Sequence, residues 1–214
     1  LNGIRDGSVD IEGELFGAYQ LNVREFLLYK IVSIFRHHKI DYAPFVYTDD
    51  LVLLKKIKAS KKSVVLVSIH NGFSHNLKLF EDQKRAINTI GLRPYVDEAL
   101  ERSGIKGNVN IITKDKYSLA YLKKVIADGG LISCTVDFSV NKGPFQFIKA
   151  NLFKFAAQGK LQVYFTKSEV QDNGQVKIML GAAPSIDDGD ANAQAYIEFY
   201  NSTGYTRRNL TVGE

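Results

Sequence analysis

The sequence predicts an α/β fold: a single domain with a mostly parallel or mixed central sheet and helices on both faces. Three observations predict it. The runs VVLVSI (64–69) and LISCTV (131–136) are apolar, β-branched and free of alternation, as expected of strands buried on both faces in a helix-covered parallel sheet. Each is tied in sequence to stretches with helical periodicity. A chain of 214 residues, 45% apolar and 11% aromatic, can bury one large core, which excludes wholesale disorder.

Taken in order, residues 20–36 carry Val23, Phe26, Leu27, Ile31, Ile34 and Phe35 at helical spacing, predicting an amphipathic helix within an N-terminal helical segment of about residues 1–60. A second helix is expected from a Thr48 or Asp49 N-cap through Leu51, Leu54 and Ile57. The core is expected over about residues 61–200. Strand 64–69 stops at His70, and Asn71-Gly72 turns into a helix over 73–80. A short helix is expected over 96–103 and a strand over 108–112 (NVNII). From Thr113 to Asp128, Leu119, Leu122 and Ile126 define one helical face before Gly129-Gly130, a stop signal. After strand 131–136 come a helix over 151–157 and a strand over 161–165. Asp172-Asn173-Gly174 then marks a hairpin leading to VKIML, 176–180. The remainder is polar and Gly/Asp-rich until AYIEFY, 195–200.

Composition narrows the function classes. Lys+Arg 28 against Asp+Glu 23 gives a net charge of +5, too modest a field for nucleic-acid binding to be expected. One cysteine, Cys134, excludes an intrachain disulfide framework and a Cys-based zinc finger and suits a reducing compartment. No apolar run approaches the roughly 18 residues of a membrane span, and LNGIRDGSVD lacks the apolar region of a signal peptide. The absence of an initiating Met suggests a trimmed chain. No GxGxxG, Walker A or EF-hand loop is present.

Ligands gather beyond the carboxyl ends of parallel strands, and two strands here end on an ionisable residue: VVLVSI on His70 and LISCTV on Asp137. The residues alone leave two readings of His70 open, a general base near neutral pH or a solvated strand-end cap. His75 stands five positions on, which is not a same-face helical spacing, and no third ligand is near, so no metal is expected. Cys134 lies inside an apolar strand without a neighbouring base and reads as a buried, inert thiol. The lysine run Lys55, Lys56, Lys58, Lys61 and Lys62 reads as a solvated helix end or as a contact for an anionic membrane face. Phe145, Phe147 and Phe153 could line an apolar slot, against ordinary core packing of the same rings.

Four segments, in order over about residues 45–180, carry a resemblance. They are SVVLVSIHNGFSH, GLRPYVDEALERSGIKGNVNIITKD, LAYLKKVIADGGLISCTVDF and GPFQFIKANLFKFAAQGKLQVYFT. Together they resemble the lipid A late acyltransferases (lauroyl/myristoyl transferases) of the lysophospholipid acyltransferase superfamily, in divergent form. The resemblance implies a glycerolipid-acyltransferase-like fold. It also implies acyl transfer from a thioester on acyl carrier protein or coenzyme A to a hydroxyl or amine, with that thioester as co-substrate and no other cofactor. It makes His70 the base, and Arg102 and Asp137 the downstream polar pair. Lys114-Asp115 becomes the short motif after the strand, and Asn71 and Lys114 join the phenylalanines as substrate-binding residues.

The chain departs from that pattern at position 75, where His75 replaces the Asp or Glu of the His-x4-Asp/Glu motif. A neutral imidazole can accept a hydrogen bond from His70 but offers no negative charge to an imidazolium. The membrane-spanning helix and tryptophan-rich stretch of the family are also missing, with Trp 0. The expected site is therefore His70, His75, Arg102 and Asp137 converging on one pocket, beside a helix N-terminus that favours an anion. Arg102 there neutralises Asp137 or holds a ligand phosphate or carboxylate. The expected location is the cytoplasm, at the inner face of the membrane. The alternative is a catalytically silent domain of the same fold that binds a lipid, an acyl chain or a protein partner.

Overall fold

The computed structural model describes residues 4–5, 8–10, 20–22, 45–69, 73–82, 85–91, 100, 105, 108–113, 116–137, 145–171, 173–202 and 209–212. Strands β1 (Ile4–Arg5), β2 (Ser8–Asp10) and β3 (Gln20–Asn22) form a small antiparallel sheet that registers Ile4 with Val9 and Val9 with Leu21. Helix was expected here, and the alternation Gln20-Leu21-Asn22 is satisfied instead by pairing with β2. The remainder of that expected helix, 23–36, lies outside the described residues.

The main sheet begins with β4 (Val46–Tyr47), followed by helix α1 (Leu51–Ala59), strand β5 (Val64–Ser68) and the short helix α2 (Phe73–Lys78). The α1 N-cap is Asp50, one position later than expected. The Asp50 amide donates to Thr48 Oγ1 at 3.1 Å, and its carboxylate accepts from the Leu180 amide at 2.9 Å instead of capping its own helix. Strands β6 (Ile87–Ile90) and β7 (Val109–Ile112) precede helix α3 (Ser118–Ala127) and strand β8 (Leu131–Thr135). On α3 the buried residues are Leu122 and Val125, while Leu119 is 53% exposed, so the buried face is rotated from the one the spacing predicts. Of the expected short helix 96–103 only Leu100 is described, in helical conformation.

Strand β9 (Phe145–Ile148), helix α4 (Asn151–Gln158), strands β10 (Gln162–Val170) and β11 (Val176–Ala182), helix α5 (Gly189–Ser202) and strand β12 (Asn209–Val212) complete the order. The hairpin signal at 172–174 is met by antiparallel pairing of β10 with β11. That pairing carries β10 five residues past its expected end. The polar stretch before AYIEFY is the first half of α5, started by Asp188, whose Oδ1 accepts from the Ala191 amide at 2.9 Å. Gly189 lets this helix start against α4, since a Cβ there would lie 2.6 Å from Lys154 Cα.

The seven-stranded sheet runs β4-β11-β10-β5-β8-β6-β7. β10, β5, β8, β6 and β7 are mutually parallel, β11 is antiparallel to β10, and β4 is parallel to β11. This is a single α/β domain with a mixed, mostly parallel sheet, as the sequence predicts. One face packs Val65, Val67, Ile132 and Cys134 against α3, α4 and α5; the other packs Leu66, Leu131, Ile87 and Tyr164 against Ile57 of α1 and Leu77 of α2. Helices therefore cover both faces. No helix among the described residues is long and apolar enough to cross a membrane.

Candidate functional site

The central strands β5 and β8 are parallel neighbours, paired from Val64↔Leu131 to Ser68↔Thr135. The ladder extends one step further, with the Val136 amide donating to Ser68 O at 3.0 Å. Both strands thus deliver their next residues to the same edge of the sheet, the edge where α/β folds bind ligands. Ile69, 3% exposed, closes β5; His70 follows it in sequence. Asp137 closes β8, 7% exposed, bridged antiparallel to Ile148 of β9. The Lys149 amide donates to Val136 O at 3.0 Å, so β9 pins the end of β8.

Of the expected site residues, Asp137 is in place at this edge. His70, Asn71, Arg102 and Lys114, expected to converge with Asp137, lie outside the described residues. His75 is on α2, and Phe145 and Phe147 are on β9 by backbone alone. Phe153 is fully buried on α4, its ring centroid 6.4 Å from that of Phe165 and 5.8 Å from that of Tyr196. Cys134 is buried and outside any disulfide. No group of three metal-ligating side chains occurs among the described residues.

Two polar features at this edge were not anticipated. On the face covered by α5, Lys167 is 3% exposed; its Nζ donates to Tyr200 O at 2.7 Å and lies 4.4 Å from the Tyr200 ring centroid. The ammonium thereby serves carbonyls at the C-terminal end of α5, where cations suit the dipole. Burial pulls its pKa down from 10.5 to about 8, against the opposing pull of Glu169. Nearby, the Tyr196 hydroxyl is fully buried with no hydrogen-bond partner among the described residues. Its pKa is raised by burial first, then by Tyr200 and by Asp137, which places the Asp137 carboxylate within electrostatic reach. The alternation Val163, Phe165, Lys167 on β10 was the available signal, because it puts the lysine on an apolar face.

The Lys167 shift has a sign that can be checked. Its folded pKa lies below its unfolded value, so the penalty for charging it in the fold is complete below about pH 8 and fades as pH rises towards 10.5. Relative to Lys167→Met, the wild type is expected to gain about 1–2 kcal/mol of unfolding free energy between pH 7 and pH 10, discounted for solvent screening. Denaturant unfolding of both proteins at the two pH values measures it, and a constant difference rejects the assignment.

The second feature lies on the α2-covered face. There the parallel strands are apolar in their first halves and turn to hydroxyls near their carboxyl ends. Thr89 and Ser133 are in register with Leu66, while Ser68 and Thr135 form the next row on that face. Thr166 sits beyond Tyr164, its hydroxyl donating to Val67 O at 3.0 Å. Ser68 Oγ, Thr89 Oγ1 and both amide atoms of Asn76 on α2 are buried without a hydrogen-bond partner among the described residues. Each such orphan costs about 1–3 kcal/mol.

No family model matches this chain, and no curated protein does. Among solved structures, a chain from the cryo-EM structure of the Euglena gracilis mitochondrial ATP synthase (OSCP/F1/c-ring, rotational state 3) is similar at 13% identity with a TM-score of 0.23. The match covers 85% of this chain and 55% of that one, so this chain spans about half the length of the structure it matches. A likeness at that score carries no statement about fold or function. What the fold and the described site define is an α/β domain with a polar, partly buried strand-end edge.

Proposed function

We propose that this protein is an acyltransferase that moves an acyl group from a thioester of acyl carrier protein or coenzyme A to a hydroxyl or amine. The observation that carries the reading is the register of β5 and β8: adjacent parallel strands whose last paired residues are Ser68 and Thr135, each followed at two residues by an ionisable group, His70 and Asp137. In this reading His70 takes the proton from the acceptor as its oxygen or nitrogen attacks the thioester carbonyl. The charge that develops on the carbonyl oxygen needs a donor, and Arg102 and Lys114 are the cations proposed to serve the site. The test incubates the full chain with acyl-CoA and acyl-carrier thioesters and follows thiol release. His70→Ala is expected to lower the rate about 10²-fold or more; an equal rate in both proteins rejects the assignment.

One observation favours the silent alternative, a domain that binds an acyl chain, lipid or partner without turnover: His75 stands where the motif requires a carboxylate. Wild-type protein that binds acyl-CoA yet releases no thiol supports that alternative.

We also place the protein in the cytoplasm, attached to an anionic membrane face through α1. Lys55, Lys56, Lys61 and Lys62 are exposed, beside Leu51 and Val52, which are 56% and 85% exposed. Lys58 is instead paired with Asp82 at 2.7 Å. Apolar side chains flanked by lysines suit the headgroup boundary, each lysine contributing about 1 kcal/mol. Replacing the four exposed lysines with glutamate is expected to weaken co-sedimentation with phosphatidylglycerol vesicles at least tenfold. Binding that ignores both salt and these substitutions removes the assignment.

A further inference from the structure

We propose that the exposed face of α3 docks a second copy of this chain, receiving the acidic turn that precedes α5 in a head-to-tail contact. This contact is independent of the acyltransferase reading. Apart from Phe45, Leu51 and Val52 around α1, the large apolar side chains exposed among the described residues fall in two places. Tyr117, Leu119 and Tyr121 stand at the start of α3, with Tyr117 reaching 65% exposure. Ile186, 45% exposed, stands in the turn between β11 and α5. Tyrosines suit an interface, because a large, stiff ring gains contact area at little cost in side-chain freedom.

The two places carry opposite charge. Lys116, Lys123 and Lys124 are exposed beside the α3 patch, and no acidic residue occurs from 116 to 127. Lys116 lies 5.0 Å from the Tyr117 ring centroid. Ile186 is followed by Asp187 and Asp188, both exposed. Asp190 is engaged with Lys154 at 3.0 Å, whereas Asp187 and Asp188 form no ion pair among the described residues. The turn is held in shape before any contact. Buried Asn192 donates to Ser185 O at 2.8 Å and accepts from the Ser185 amide at 3.1 Å, and Ser185 Oγ accepts from the amides of Asp187 and Asp188. Docking it therefore costs little ordering. Within one chain the two places cannot meet. α3 starts after β7, at the carboxyl edge of the parallel strands, whereas the turn leaves the sheet at the amino edge, where the Ala183 amide donates to Val163 O at 3.0 Å. β5, β8 and β6 also separate β10 from β7. Contact between copies thus joins two different surfaces, which extends an assembly beyond two members.

The test is sedimentation velocity on the full chain over a concentration series up to about 1 mM, the weak end of specific association. The mass of the wild type is expected to rise past two copies, and high salt should weaken the association at least tenfold. One variant carries Lys116→Glu and Lys123→Glu; a second carries Ile186→Ser and Asp187→Ser. All four positions are exposed, so neither variant loses core packing. Each variant alone should associate at least tenfold more weakly than the wild type. Mixed in equal amounts, the two should form a heterodimer and nothing larger, because one keeps an intact turn and the other an intact α3 face. A wild type that stays monomeric throughout, association indifferent to salt, or a mixture that remains monomeric overturns the proposal.

Discussion

His75→Glu is expected to raise thiol release from an acyl thioester about 10²-fold, provided that wild-type turnover depends on His70. The argument is electrostatic. When His70 takes the acceptor proton it becomes an imidazolium, and a carboxylate five positions on both orients the ring and stabilises that charge; loss of such a partner in a comparable relay costs up to about 10⁴-fold. A neutral imidazole at position 75 supplies orientation at best, and a protonated one repels the imidazolium. Position 75 lies on α2, whose next residue, Asn76, is buried. The measurement is the steady-state rate against pH for wild type and His75→Glu, with His70→Ala in both backgrounds. A gain that survives His70→Ala shows that the new carboxylate acts alone, and no gain over an inert wild type supports the silent binder.

The two strands that the sequence reveals most directly share a physical property: they are buried along almost their whole length. β5 and β8 read as unbroken apolar runs because helices cover both sides of the sheet. β6 lies just as deep but did not register, because Asn88 and Thr89 interrupt it. Asn88 tolerates burial by donating to Ala86 O and Leu131 O and accepting from Asn110 Nδ2, each at 3.2 Å. That ladder is visible only once the strands are side by side. The same holds for the site. Asp137 was legible because it terminates an apolar run, whereas Ser68 and Thr89 are small polar residues that carry no signal until register assigns them to one face. Lys167 sat between the two cases, since strand parity pointed it inward but its partner, the Tyr200 carbonyl, belongs to a helix 33 residues on. The N-terminal expectation is corrected at its first three residues alone, where Gln20–Asn22 pair as a strand, while residues 23–36 lie outside the described residues.

Arg85→Ala is expected to lower the unfolding free energy by about 3 kcal/mol while leaving any thiol-release rate per folded molecule unchanged. The guanidinium stands just before β6, at the edge of the sheet opposite the strand-end site, and ties three backbone segments together. It donates to Ser60 O at 2.9 Å and to Lys62 O and Gly130 O at 2.8 Å each, closing the connections that lead into β5 and β8. Hydrogen bonds from a charged donor contribute about 1.5–3 kcal/mol each, and water reaching the outer carbonyls recovers part of the loss. The glycines at the same junction make an independent probe of its tightness. Gly129 has φ of 72° and a Cβ there would meet Lys61 O at 2.5 Å, while a Cβ on Gly130 would meet the Val125 side chain at 2.4 Å. Both neighbours of Gly129 are backbone atoms and cannot swing away, so Gly129→Ala is strained by conformation and by contact together. Its expected cost, about 2 kcal/mol or more, should add less than fully to that of Arg85→Ala, because both loosen the same 60–62 segment. Denaturant midpoints of the two single variants and the double variant measure the coupling. Full additivity would mean that the arginine and the glycine turn hold separate parts of the edge, and that β5 and β8 are not set in register by one shared clasp.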